Sequence, residues 1–411
     1  MELKLGYKQT EIGVIPEDWS VKNLGEIGEP LIGLTYKPSN VKSDGLLVLR
    51  SSNVADGGLR FEDNVYVDMD VPSKIIARKG DILICVRNGS RALIGKCAKI
   101  DERSEGMTFG AFMAVFRTPF HDFVYHQFQS EVIQRQIHEH LGATINQITN
   151  RSLRSFRIPF PRDSVEQRAI AGALGDVDAL LSALAQLIKK KRDLRQAAME
   201  QLLTGLTRLP GFSGEWHLTT LKAVGTFSKG KGIRRNEVVT EGLPCIRYGE
   251  IYTHHNDYIR DFLSFIPLEV ARRSRRLRKG DLLFAGSGET AEEIGKCVAF
   301  LDEIEAYAGS DIVILTPSGH NSMYLGYLMN HPSIAQQKAR MGQGDAVVHI
   351  SARNLAQLNV RLPAASEQAA IATVLSDIDA ELAALEVRLA KTRALKQGMM
   401  QELLTGRTRL V

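Results

Sequence analysis

The chain has 411 residues, 44% hydrophobic and 24% charged, which is enough for two or three domains with real cores and too apolar for disorder to be the default. A net charge of +5 is mild and excludes no partner class; the placement of the positive charge matters more. Cys85, Cys97, Cys245 and Cys297 stand too far apart for a CxxC knuckle, which argues for a reduced, cytoplasmic protein without a zinc site. The opening MELKLGYKQTEIGVIPEDW lacks a charged head followed by an apolar run, so no secretory signal is expected. No stretch is read as reaching the roughly 20 apolar residues of a membrane helix.

Residues 1–162 read as a mixed domain. Short β-rich runs such as LLVLR (46–50) and DILICV (81–86) are bounded by glycine or polar turns, and residues 123–141 read as helix. Residues 163–209 form a long helix, because Ile170, Leu174, Val177, Leu181, Leu184 and Ile188 recur at 4-3-4-3-4 spacing, a heptad seam. No proline interrupts it, Asp163 or Ser164 can cap its start, and Gly205 stands where it should stop. Residues 210–363 are again mixed, with DLLFAG (281–286) and DIVILTP (311–317) as strands and 323–341 as helix. Residues 364–411 form the second long helix: Ile371, Leu375, Ile378, Leu382, Leu385 and Leu389 repeat the seam, with Ser366 as cap and Gly406 as stop. A helix of about 38 residues is a rod of about 57 Å.

These four segments are one pair, duplicated. SVEQRAIAGALGDVDALL (164–181) returns as ASEQAAIATVLSDIDAEL (365–382), and MEQLLTGLTRL (199–209) returns as MQELLTGRTRL (400–410), both at an offset of 201 residues. KGDILICV (79–86) returns as KGDLLFAG (279–286), IGKC at Ile94 returns at Ile294, and PEDWSVKNLGEIG around Trp19 matches SGEWHLTTLKAVG around Trp216. Chance does not produce this.

A rod with one apolar stripe must pair, and its duplicate is the obvious partner. In each helix the acids come early (Asp176, Asp178; Asp377, Asp379) and the bases late (Lys189, Lys190, Lys191, Arg192; Arg388, Lys391, Arg393, Lys396). Antiparallel pairing sets opposite charges against each other at both ends; the same polarity also suits the helix dipoles. The expected fold class is therefore α+β: two mixed domains separated by two long helices in an antiparallel coiled coil, with internal pseudo-twofold symmetry.

This order of segments, with the KGD-I/L-L strand start and the P-x-x-x-EQ-x-x-I helix start (IPFPRDSVEQRAIAGAL and VRLPAASEQAAIATVL), resembles type I restriction–modification specificity subunits over nearly the whole chain. The resemblance implies that the mixed domains are target recognition domains, each reading one half of a split site in double-stranded DNA. It implies that the helices set the gap and dock two methyltransferase subunits, with two restriction/translocase subunits in the fuller complex. Methylation, cleavage and translocation would belong to those partners. A standalone DNA-binding or scaffolding protein is the alternative.

A DNA reader needs cations for phosphates and forked or amide side chains for base edges. The densest cationic run is ARRSRRLRKGD, with Arg272, Arg273, Arg275, Arg276, Arg278 and Lys279. It reads as a phosphate contact or as a solvated face; the first half is sparser there, with Lys74, Arg78 and Lys79. Lys229, Lys231, Arg234 and Arg235 lie in a glycine-spaced loop suited to tracking a backbone. Candidate base readers follow strands: Arg50, Ser51, Ser52 and Asn53; Arg87, Asn88, Ser90 and Arg91; Arg247, Tyr248 and Glu250; and Ser287, Glu289 and Thr290. The stretches 142–150, with Asn146 and Gln147, and 342–349, with Gln343, add amides. An ordinary turn or ion-pair role stands beside each. The loops diverge between halves while the helices match, which implies two different half-sites.

No active site emerges. Phe284–Gly288 spells FxGxG, as a methyltransferase cofactor loop does, but residues 84–88 lack the glycines, and no NPP(Y/F) or DPP(Y/F) follows. The only (D/E)xK is Glu2-Leu3-Lys4, and no GxxxxGK(S/T) phosphate loop exists. His138-x-His140 and His254-His255 lack partners at metal spacing and read as surface histidines. No cofactor, metal or membrane partner is expected.

Overall fold

The computed structural model describes residues 5–55, 57–142, 146–344 and 347–410. The chain divides into two compact units: residues 1–185 with 387–411, and residues 186–386. Each unit therefore holds one mixed domain together with half of each long helix.

In the first unit an antiparallel sheet runs in the order Cys97–Lys99, Ile82–Cys85, Met113–Arg117, Glu29–Ile32. Its central strands are apolar at every position except the terminal Arg117, because both faces are covered. Ile82 and Ile84 point into a core shared with the helices, whereas Leu83 and Cys85 point into a second core. That second core lies against a smaller four-stranded sheet ordered Thr108–Phe109, Leu46–Leu49, Tyr66–Val67, Val41–Lys42. The layers are thus helices, sheet, small sheet.

The second unit repeats the plan. Its five-stranded sheet runs Gly225–Lys229, Ile312–Pro317, Leu282–Ala285, Cys297–Ala299, Asp257–Tyr258. Leu282 and Phe284 face the helices, and Leu283 and Ala285 face the other core. The smaller sheet runs Ser264–Ile266, Leu243–Ile246, Tyr307–Ala308, Arg275–Arg276.

The stretches expected as single helices are each broken. The first gives His121–Gln129 and Glu131–Gly142, parted by an extended Ser130. The second gives Ser322–Asn330 and Pro332–Met341, parted at His331, whose helical conformation the following proline disfavours.

The long helices are Ser164–Thr204 and Ala365–Leu403, 41 and 39 residues. They pair antiparallel within each unit. In the first, Asp178 meets Lys396 at 2.6 Å, and Glu166, nearer the helix start, meets Arg409 beyond the other helix's end. In the second, Lys191 meets Glu381, Arg195 meets Asp379, and Arg208 meets Glu367. Asp163 caps the first helix by accepting from the Val165 N–H at 2.8 Å. The second already begins at Ala365, so Ser366 lies inside its first turn rather than capping it. Gly205 and Gly406 take φ of +74° and +71°, the left-handed stop that favours glycine.

Of the seam residues, Ile170, Leu174, Leu184, Ile188, Ile371, Leu375 and Leu382 are buried; Val177, Leu181, Ile378, Leu385 and Leu389 are half-buried. The seam also completes the domain cores, since Ile170 and Leu174 enter that of the first mixed domain, and Ile371 and Leu375 that of the second. Met199 and Leu203, with Met400 and Leu404, fall off the heptad and suggest a separate contact face; they are buried in those same domain cores instead. Leu180, Leu187, Leu194 and Leu395 do remain exposed. The first helix corrects one further expectation, since a window of it is long and apolar enough to cross a membrane by length and composition. Asp176 and Asp178 interrupt that window, and its buried leucines and isoleucines serve the seam and the core.

Candidate nucleic-acid interface

Several repeated motifs belong to the frame. In each KGD turn the glycine is left-handed (Gly80 φ +89°, Gly280 φ +92°), and the aspartate accepts a backbone N–H three residues back, Arg78 for Asp81 and Arg278 for Asp281. Asp81 also takes the Arg117 guanidinium at 2.7 Å, and Asp281 takes the Thr316 hydroxyl at 2.6 Å. The glutamine of each EQ donates to a carbonyl just before the helix, Gln167 to Pro161 and Gln368 to Pro363. Each EQ glutamate is buried and held by an arginine of the other repeat's TRL, and each arginine also lies over the ring of that unit's tryptophan: Arg409 over Trp19, Arg208 over Trp216. Arg409 spans Asp18 as well and holds its carboxyl below the usual carboxylate range.

Strand directions dictate where the loops meet. In the first unit Leu46–Leu49 runs parallel to Thr108–Phe109, so both end on the same edge. Cys85 pairs with Met113, so Ile82–Cys85 ends there too. Hydrogen bonds then stitch the loops together: the Asn88 amide donates to Ser51 Oγ at 3.2 Å, and Arg91 Nε donates to Asn146 Oδ1 at 2.9 Å. Arg87 bridges to Gln147 through the backbone and lies 5.1 Å over the Phe112 ring. Arg87, Arg91, Ser52 and Phe112 are exposed along this edge.

The second unit builds the same edge from other residues. Leu243–Ile246 runs parallel to Tyr307–Ala308, and Ala285 pairs with Ile312. This gathers Arg247 and Tyr248, residues 286–290, and 309–311. Ser287 pairs with His349 and shares a 2.9 Å side-chain bond with it; Gln343 bridges to the same histidine. Glu289 and Thr290 stand exposed beside them.

Two cationic runs that are separate in the sequence become one surface. Arg273 pairs with Glu237, Arg275 donates to Ser228 Oγ at 3.3 Å, and Gly232, left-handed at φ +87°, packs so close that an added Cβ would lie 2.9 Å from the Arg273 carbonyl oxygen. Residues 229–235 are thereby laid against 272–276. Glu237 is held below the usual carboxylate range, first by the Arg234 N–H and then by Arg273. Lys229, Lys231, Arg234, Arg235, Arg272 and Arg276 are exposed, and among the described residues none of them pairs with a carboxylate.

Some candidates are frame rather than face. Asn53 is 0% exposed; it accepts from the Arg50 N–H and donates to the Arg60 carbonyl, so it ties its turn together and is unavailable to a base. Ser287 is buried, and Glu250 is buried where it accepts from Arg247 N–H and the Ser264 hydroxyl. Arg50 is spent on Asp63 at 2.7 Å. Arg278 and Lys279 belong to the KGD turn, Lys279 pairing with Glu303. Part of the stretches 142–150 and 342–349 (residues 143–145 and 345–346), like Glu2-Leu3-Lys4, lies outside the described residues. Phe112, 53% exposed, is not singled out by pattern; its signal is an aromatic just ahead of the fully buried run Met113–Phe116. Phe284–Gly288, the FxGxG match, is strand and strand junction with Phe284 and Gly288 buried. His254-His255 is not a surface pair either, because His255 is only 3% exposed.

The same frame is thus built twice, and each copy presents a polar loop edge of different composition. The type I restriction modification DNA specificity domain matches residues 16–191 and again 214–391, and the chain belongs to that family. The EcoKI specificity subunit of Escherichia coli K12 is 28% identical over 306 residues, 69% of this chain and 65% of that subunit. The StySPI specificity subunit of Salmonella potsdam is 28% identical over 252 residues, 55% and 53% of the two chains. The matched stretches thus span less than two thirds of either relative. Across the whole fold, a crystal structure of the type I restriction–modification S subunit from M. genitalium superposes with a TM-score of 0.63 at 17% identity, covering 98% of both chains.

Proposed function

We propose that this chain is the DNA sequence-specificity subunit of a type I restriction–modification complex, acting without chemistry of its own in the cytoplasm. Each recognition domain, 1–162 and 210–363, reads one half of a bipartite, asymmetric site in double-stranded DNA. The helical segments 163–209 and 364–411 set the gap and dock two methyltransferase subunits, with two restriction/translocase subunits in the fuller complex.

One observation carries this reading: equivalent strands in the two units end on equivalent edges, yet the side chains there differ. The first unit presents Arg87, Asn88, Arg91, Asn146 and Phe112; the second presents Tyr248, Glu289, Thr290, Gln343 and a six-cation surface. A frame kept constant under divergent loops suits the reading of two different half-sites. The cations would supply grip, and the forked and amide groups would supply base discrimination.

Mapping modified bases in a host that carries the candidate methyltransferase, with and without this chain, tests the proposal. Modification at a split motif only when the chain is present is the expected result. Identical modification without the chain, together with direct binding to random-sequence DNA, would favour a standalone DNA-binding scaffold.

A further inference from the structure

We propose that His254, His255 and Asp261 form a binding site for a divalent transition-metal ion of the zinc class, in the wall of a cavity of about 800 Å³ in the second unit.

The helix Tyr248–Thr253 ends at His254, the chain turns through Asp257–Tyr258, and Asp261 comes back alongside. One ligand atom from each of the three residues lies within 4.8 Å of the others, and His254 Nε2 is 2.6 Å from Asp261 Oδ1. A tetrahedral zinc with bonds of about 2.0–2.1 Å holds its ligand atoms about 3.3 Å apart, so small side-chain rotations complete the site.

His255 supplies the second, independent observation. It is only 3% exposed, it lines the cavity, and its Nε2 has no hydrogen-bond partner among the described residues. A buried ring nitrogen without a partner calls for one, and a metal ion is one that His254 and Asp261 are placed to share. Two imidazoles and a carboxylate suit zinc, cobalt or nickel better than the all-oxygen shells of magnesium or calcium. Glu292 and Glu293 line the same cavity and offset the nearby Lys296, whose ammonium is already bonded to the Tyr252 carbonyl and Asn256 Oδ1.

The site belongs to the second unit alone, since the equivalent turn in the first (residues 54–61, VADGGLRF) carries no histidine. What the ion would hold is visible there. Asp257 is the one non-glycine with positive φ (+53°) among the described residues, and its counterpart two hundred positions earlier is Gly57 at +76°. Asp257 pairs with Arg195 of the first long helix. A metal clamping residues 254–261 would fix this strained turn, and with it that ion pair.

The test uses the full chain, stripped with a chelator and titrated with Zn²⁺ alone by calorimetry, then with Co²⁺ read by absorption. One equivalent is expected, with affinity at least tenfold weaker in Asp261→Asn and in His254→Gln. Both residues are on the surface side of the site, so folding should survive, with circular dichroism as the check. Absence of stoichiometric binding, unchanged affinity in both variants, or a thiolate charge-transfer band with Co²⁺ would each overturn the proposal.

Discussion

Arg409 closes on the buried carboxylate of Glu166 although 243 residues separate them. Arg208 does the same to Glu367 across 159 residues. Each repeated motif thus finds its partner in the other repeat: the start of one long helix is locked to the end of the other, with a tryptophan ring beneath each lock. The antiparallel pairing is what brings EQ and TRL together.

Removing Arg409 leaves Glu166 buried with, among the described residues, only the Trp19 indole N–H, at 3.0 Å, as a side-chain donor. Breaking one partner of a buried pair costs roughly 3 kcal/mol, and the partial exposure of Arg409 trims this to about 2 kcal/mol. The chain has two tryptophans, so in a Trp216→Phe background Trp19 fluorescence reports on the first unit. Arg409→Leu should lower the urea midpoint seen there by an amount matching that loss. An unchanged midpoint would show that the lock contributes nothing.

Acid should weaken the first unit through His126. The side chain is buried and its pKa is pushed down to about 3, first by burial and then by Lys396. The unfolded histidine, near 6.5, takes up a proton that the folded one refuses, so this contribution is complete above pH 6.5 and is lost as pH falls towards 3. The loss by pH 5 is about 2 kcal/mol. The second unit has Tyr327 at the equivalent position, donating to Asp379 at 2.7 Å. His126→Tyr should therefore flatten the pH 7-to-5 dependence of unfolding; a slope identical to that of the parent would sink this account.

The joined cationic surface of the second unit should act as phosphate grip. Lys231→Gln with Arg234→Gln should weaken binding about equally for all DNA sequences and lower the slope of log affinity against log salt by about 1 per lost contact. Arg87→Ala or Asn88→Ala should instead change which sequence is preferred. Fluorescence anisotropy at several salt concentrations separates these outcomes, and a sequence-selective loss in the Lys231/Arg234 variant would contradict the assignment.

Matched seven-residue insertions after Ala185 and after Glu386 keep the heptad register of both helices while lengthening each by about 10 Å. The modified motif should keep both half-sites and gain about 3 base pairs of gap. A gap that stays constant would remove the ruler role from the helices.

Much of this was legible in the residues. The duplication, the seam from Ile170 to Ile188 and from Ile371 to Leu389, and the fully buried strands at 82–85 and 282–285 are periodicities, and hydrophobic burial obeys periodicity locally. Which residues line the proposed DNA-reading edge was much less legible. Asn53 and Arg87 look alike in the sequence, each polar and each just past a strand, yet one is buried holding its turn and the other lies exposed over Phe112.

The repeat is written in the residues themselves, and the two long helices, their heptad stripe and the polarity of charge along them are legible there because each depends on neighbours within a few turns. That EQ meets TRL across the chain, that Met199 and Met400 serve domain cores, and that residues 229–235 and 272–276 make one surface emerges from the folded contacts alone. Those facts depend on strand direction and on which groups exhaust one another's hydrogen bonds. Both are set by long-range pairing, which no local pattern records.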